Sequence, residues 1–178
     1  MSIIQLFRTL RVKIIHRLLN IEIQPGLYNI CSSTKIYGKN EGHIHLGKRT
    51  ITSKNVVLVA NGGEIYVGDN CSFSGNSTFV AHDKIVIGDN CKMGPGVKVY
   101  DHDHLFNETG VLPEGHKTAP IIIGKNSWIG ANAILLRGTN IGEGCVVGAG
   151  TIVKGIIPPH SIVTNDRELI IHSIDATK

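Results

Sequence analysis

Four consecutive residues, Asp101, His102, Asp103 and His104, bring together the side chains of this sequence that suit proton transfer near neutral pH. An imidazole titrates close to physiological pH, so it can take the proton of a hydroxyl as that oxygen attacks an electrophile. A neighbouring carboxylate can accept a hydrogen bond from one ring nitrogen, which fixes the tautomer and raises the basicity of the other. Asp101 and Asp103 both stand close enough in sequence to do this. Imidazoles also bind metals, and the chain has nine histidines. Zinc, however, needs three well-directed nitrogen donors, and His102 and His104 sit two apart on what reads as a loop. His82 and His116 could border a pocket beside them. A loop histidine is ordinarily a solvated surface group, so the elements that hold this segment must decide its role.

Those elements are read from a repeat. Ile123, Ile129, Leu135, Ile141, Val147 and Val153 recur at every sixth position, and Gly124, Gly130, Gly142 and Gly148 directly follow four of them. Neither an amphipathic helix nor an alternating strand has that period. A unit of six residues cannot bury an apolar face alone, so successive coils must stack into a solenoid. Val67, Phe73 and Phe79 hold the same step, as do Ile87, Met93 and Val99. The step stretches to eight residues between Phe79 and Ile87, and the pattern disappears from Asp101 to Ala119. Insertions in solenoids are extruded as loops, often on the binding face. Looser coils around Ile36 and Leu46 extend the predicted repeat region over residues 21–164, with the loop at 101–119 and a closing segment at 165–178.

Composition narrows the function classes. At 178 residues, 42% hydrophobic and only 5% aromatic, the chain suits one domain with an aliphatic core. The net charge of +4 comes without any block of like charges, which argues against a nucleic-acid tail. Cys71, Cys91 and Cys145 each fall four residues after a repeat aliphatic, a place for a small buried side chain. All four cysteines, Cys31 included, read as reduced core thiols. No apolar run reaches transmembrane length and no uninterrupted signal core is present, which predicts a cytoplasmic protein.

Residues 1–20 have a different character. Ile3, Phe7, Leu10, Ile14 and Leu18 form one helical stripe, with Arg8, Arg11, Lys13 and Arg17 largely off it. This predicts a basic amphipathic helix that caps the open end of the solenoid. The same helix could rest on an anionic inner-membrane surface as a peripheral contact.

The segment from Val97 to His104, the Pro120-to-Gly130 stretch containing Trp128-Ile129-Gly130, and Gly148-Ala149-Gly150 resemble the hexapeptide-repeat acyltransferases. Within them, the layout is similar to the sugar and surface-polysaccharide O-acetyltransferases over the span from Cys71 to Val163. The resemblance implies an all-β, left-handed parallel β-helix that acts as a homotrimer with active sites between subunits. It implies acetyl-CoA as co-substrate, no metal, and a sugar or glycan-precursor hydroxyl as acceptor. By the family register, the base is His104, seven residues after Val97, and the active-site asparagine is Asn76, eleven before Ile87. His102 is the alternative base, with Asp101 as its orienting partner. Coenzyme A is implied to run past Gly130, Ala131 and Ala149, with Trp128 beside the pantetheine end and Lys154 near the phosphates. Arg137, Lys125 and Arg167 are further phosphate candidates. Gly155 takes the family's lysine position if no gap is allowed, and the stretch from Ile162 to His172 departs from the family pattern.

Other readings keep the solenoid but change the chemistry. An N-acetyltransferase for an amino sugar or a xenobiotic would use similar base chemistry. A γ-carbonic-anhydrase-like enzyme would use histidines on zinc. A scaffold would use the coils only as an assembly surface.

Overall fold

A computed structural model describes residues 21–165 of the chain. Within them the backbone winds as a parallel β-solenoid with three flat faces. One full coil shows the plan: Glu64–Val67 lies on the first face, Ser72–Phe73 on the second and Thr78–Ala81 on the third. The next coil repeats it with Lys84–Ile87, Lys92–Met93 and Lys98–Tyr100. Among the described residues the three sheets hold seven, seven and six parallel strands. The expected helix over 1–20 lies outside the described residues, as does nearly all of the closing segment. No helix of the described residues is long and apolar enough to cross a membrane.

The six-residue step works because each short strand turns one aliphatic inward. Val67, Ile87, Ile123 and Ile141 stack on the first face, and Phe79, Val99, Leu135 and Val153 on the third. Almost all of these side chains are fully buried. The turn between the first and second faces is equally regular. A Cβ on Gly124 would sit 2.4 Å from the Gly142 carbonyl carbon of the next coil, so only glycine allows the coils to stack there. Asn70, Asn90 and Asn126 then take φ of 59°, 59° and 60°, a left-handed conformation that asparagine tolerates. Their amides form a ladder, 3.1 Å from Asn70 to Asn90 and 3.0 Å from Asn90 to Asn126.

Directly inside this corner, Cys71, Cys91 and Cys145 are buried and free. Each Sγ donates to a carbonyl of the adjacent coil, at 3.1 Å to Gly88, 3.2 Å to Gly124 and 3.2 Å to Pro158. The hydrogen bond with Cys91, and then burial, push the Cys71 thiol up, so it stays protonated. Cys31 departs from the core reading: it is only partly buried, beside Ser33.

Phe73 and Phe79 fill the widest part of the core, edge to face with ring centroids 5.2 Å apart. Replacing Phe79 by alanine removes this pair and leaves a cavity that rigid stacked coils cannot close. The expected loss is about 3–5 kcal/mol, read from denaturant unfolding; a loss below about 1 kcal/mol would show that neighbouring coils collapse into the gap.

The polar stretch differs from its expected form. It is not an irregular loop but an antiparallel hairpin, with strands His102–Asn107 and Gly110–Thr118. The chain reverses at Asn107, whose Oδ1 accepts from the Thr109 amide at 2.9 Å and the Thr109 hydroxyl at 2.7 Å, and Gly110 follows with φ 124°. Beneath the insertion the coil is uninterrupted, because Lys84–Ile87 pairs directly with Ile121–Ile123.

Candidate active site at a corner of the coil

The hairpin leaves the coil at the corner between the third and first faces, here termed the hairpin corner. Residues reach this corner in register. Val80 pairs with Tyr100 across the third face, so His82 and His102, each two residues further on, meet with ring centroids 4.1 Å apart. His116 joins them from the returning hairpin strand, 4.1 Å from His82 and 5.2 Å from His102. One nitrogen from each of these three rings lies within 4.8 Å of the others. His104 pairs with His116 across the hairpin, ring to ring at 4.9 Å, but is itself exposed.

Asp101 organises the corner. It is fully buried, and its carboxylate accepts from the His82 amide at 2.9 and 3.1 Å and from the Asp83 amide at 2.8 Å. These bonds form the turn that accounts for the longer step between Phe79 and Ile87. The Asp101 Oδ1 also lies 3.1 Å from Nδ1 of His102. Of the two carboxylates that could have oriented an imidazole, Asp101 therefore does so. Asp103 does not, because strand alternation turns it to the opposite side from His102 and His104. It pairs instead with the Arg137 guanidinium, which holds the Asp103 carboxyl below the usual carboxylate range. Arg137 thus ties the hairpin to the following coil and is not free for phosphate. Lys125, another phosphate candidate, pairs with Glu143 at 3.3 Å. Arg167 lies outside the described residues. Lys154 is exposed at the hairpin corner, and its charge adds to the pull on Asp103.

Electrostatics favour the neutral forms of His82 and His116. Burial first, then the neighbouring rings of His102 and His116, hold the His82 pKa below the ordinary histidine range against the opposing pull of Asp101. Desolvation, then His102 and His104, lower His116 in the same way. Asn61, one coil earlier in the same column, contacts Nε2 of His82 through its amide nitrogen at 3.2 Å. His82 and His116 are the residues that motif reading left unassigned. The available signal was an equal offset, since His82 follows the core residue Phe79 by three positions as His102 follows Val99.

The remaining site candidates lie elsewhere. Asn76, Gly130, Ala131 and Ala149 gather at the corner between the second and third faces, where backbone bonds connect Gly75 to Gly96, Pro95 to Asn132 and Ala131 to Gly150 at 2.7–3.0 Å. Asn76 has φ 62°, and its Oδ1 accepts from the Asn55 amide at 3.2 Å, so it has a turn-forming role of its own. Gly130 is buried against the next coil, whereas Ala131 is partly and Ala149 fully accessible. Trp128 stands just ahead of this corner on the second face, 54% exposed, between Lys92 and Val146. The strand Thr78–Ala81 runs from one corner to the other, placing Asn76 on the order of 15–20 Å from His82. One chain therefore keeps two groups of candidate residues apart: histidines at the hairpin corner, and small residues with Trp128 at what we term the alanine corner.

Comparison with known proteins agrees with this architecture. The family described as hexapeptide repeat of succinyl-transferase matches residues 64–101 and 120–154, breaking where the hairpin leaves the coil. The probable acetyltransferase Rv3034c of Mycobacterium tuberculosis is 34% identical over 122 residues, which is 67% of this chain but 38% of that protein. This chain thus spans well under two thirds of that relative. WbbJ of Escherichia coli, which carries the name of a lipopolysaccharide biosynthesis O-acetyl transferase, is 28% identical over 137 residues, 71% of this chain and 70% of that protein. Among solved structures, a mutant of AntD, an N-acyltransferase from Bacillus cereus in complex with an amino-sugar nucleotide and coenzyme A, superposes with a TM-score of 0.71. The superposition covers 88% of this chain and 83% of AntD at 20% identity, a likeness of fold.

Proposed function

Because the chain belongs to the hexapeptide-repeat acyltransferase family, we propose that it moves an acetyl group from acetyl-CoA to a hydroxyl of a sugar in a surface glycan or its precursor. The observation that carries this reading is the pairing of His102 with the fully buried carboxylate of Asp101. With Nδ1–H directed at Asp101, the proton-free nitrogen of His102 is Nε2. His102 takes the acceptor's hydroxyl proton there as the oxygen bonds to the acetyl carbon. The carbon–sulfur bond then breaks, and the imidazolium returns its proton to the departing thiolate, giving the acetyl ester and free coenzyme A. Asp101 holds the ring in the correct tautomer and stabilises its positive charge while the proton is in transit.

His102 replaces His104 as the proposed base because the exposed His104 has no carboxylate partner, while His102 is only 13% exposed. The small side chains of Ala131 and Ala149 leave backbone within reach of a pantetheine arm, and Trp128 offers a broad apolar surface beside them. Lys154 is an exposed cation suited to a phosphate. O-acetylation is favoured over N-acetylation by the likeness to WbbJ, which covers most of both chains.

The test is release of free thiol from acetyl-CoA over a panel of oligosaccharide precursors. Thiol release with hydroxyl acceptors, together with an acetyl ester in the product, supports the proposal. Release only with amino sugars would move the reaction to nitrogen.

The separation of the two corners supports a further element of the reading: a trimer in which the hairpin corner of one subunit faces the alanine corner of the next, its coil left-handed as the family resemblance implies. Sedimentation is expected to give a species of three 19.2-kDa chains. An active monomer would refute this arrangement, because one chain keeps the two corners apart.

A further inference from the structure

We infer that His82, His102 and His116 form a binding site for a divalent transition metal of the zinc class, built within a single chain. Three neutral imidazole nitrogens with an open fourth position are the donor set that zinc accepts in tetrahedral sites. One nitrogen from each of the three rings already lies within 4.8 Å of the others. Zinc–nitrogen bonds of about 2.0–2.1 Å bring tetrahedral donors to about 3.3 Å from one another, so the rings close by roughly 1.5 Å or less. The structure allows that closure from one side. His116 sits on the returning hairpin strand and can move toward His82, on the coil, and His102, which the buried Asp101 carboxylate holds at the base of the hairpin.

The surroundings also suit an ion. The bond from His102 Nδ1 to Asp101 leaves Nε2 as the donor nitrogen and forms the carboxylate–histidine pairing that orients and strengthens metal ligands. The Asn61 amide nitrogen that donates to Nε2 of His82 at 3.2 Å gives way when Nε2 takes the ion. The buried Asp101 carboxylate supplies the compensating negative charge. His104, 4.9 Å from His116, stands beside the open position. The three donors come from one coil corner and the two hairpin strands of the same chain, so the site does not depend on a second subunit. Because Nε2 of His102 cannot hold a metal and accept a proton at once, metal binding and the proposed transfer exclude one another at this residue.

Titration of the chelator-treated full chain with zinc chloride, followed by calorimetry, tests the site. It uses neither acetyl-CoA nor acceptor, so its result is independent of the transfer reading. One zinc per chain is expected for the parent and for His43→Gln, an exposed histidine outside the cluster. His116→Gln, on the returning hairpin strand where the core is not disturbed, is expected to weaken binding by at least about tenfold, and His82→Gln likewise. No binding by the parent, or binding that neither cluster substitution weakens, would overturn the assignment.

Discussion

Replacing His102 by alanine is expected to lower kcat by about 10²–10⁴-fold while leaving the affinity for acetyl-CoA unchanged. The size of the effect is that of a positioned general base, and the selectivity follows from the split between corners. His102 stands at the hairpin corner, where the proposal puts the reacting hydroxyl, while Ala131, Ala149 and Trp128, the residues proposed along the pantetheine arm, belong to the alanine corner. His104→Ala is the comparison that gives the experiment its force. The two residues lie on the same side of one strand, so replacing either imidazole removes similar bulk and polarity from the hairpin. Only His102 has its tautomer set by a buried carboxylate, so His104→Ala is expected to lose less than about tenfold. Thiol-release kinetics on the two variants measure both values. If His104→Ala abolished turnover and His102→Ala did not, the base would be His104 and Asp101 would be only a turn former.

The second large effect is on stability. Asp101→Ala strips the partners from two backbone amides, those of His82 and Asp83, in a partly buried turn built around a fully buried carboxylate. Each unpaired buried donor costs about 1–3 kcal/mol, so a total of about 2–6 kcal/mol is expected in denaturant unfolding. Asn at this position rescues it only in part, because its amide oxygen still accepts from one N–H while its NH2 group faces the other. Activity should fall with stability, since the same carboxylate holds His102. A variant within about 1 kcal/mol of the parent would mean that the turn finds other partners.

The path from sequence to structure is uneven, for physical reasons. The run from Ile123 to Val153 is legible because every strand contributes one inward aliphatic and the turns between strands hardly vary in length. The hairpin is hidden from that reading. Its residues bury no continuous core, Pro113 and Gly115 interrupt its alternation, and its pairing depends on a turn at Asn107 that carries no six-residue signal. His82 was named only as a possible neighbour of the pocket, because it is 20 residues from His102 in the chain and adjacent only once coils are stacked. The family register points to His104, while the proposal takes His102. That choice depends on which one meets a buried carboxylate, and this is set by strand alternation: Asp103 is turned away to Arg137, while Asp101 stays beneath His102. Asn76, Trp128 and the alanines were all found in sequence, yet their distance from the histidines becomes visible only when the coil is given three faces.

The uninterrupted pairing of Lys84–Ile87 with Ile121–Ile123 beneath the insertion has an evolutionary consequence. With Asp101 kept to hold its turn, the spine is complete without the 17 residues from His102 to Thr118, so this segment behaves as a cassette seated on a chassis. New versions can be exchanged between chains, lengthened or reshaped without re-registering the coils on either side. Base, reacting surface and specificity can therefore diversify together while the scaffold stays fixed.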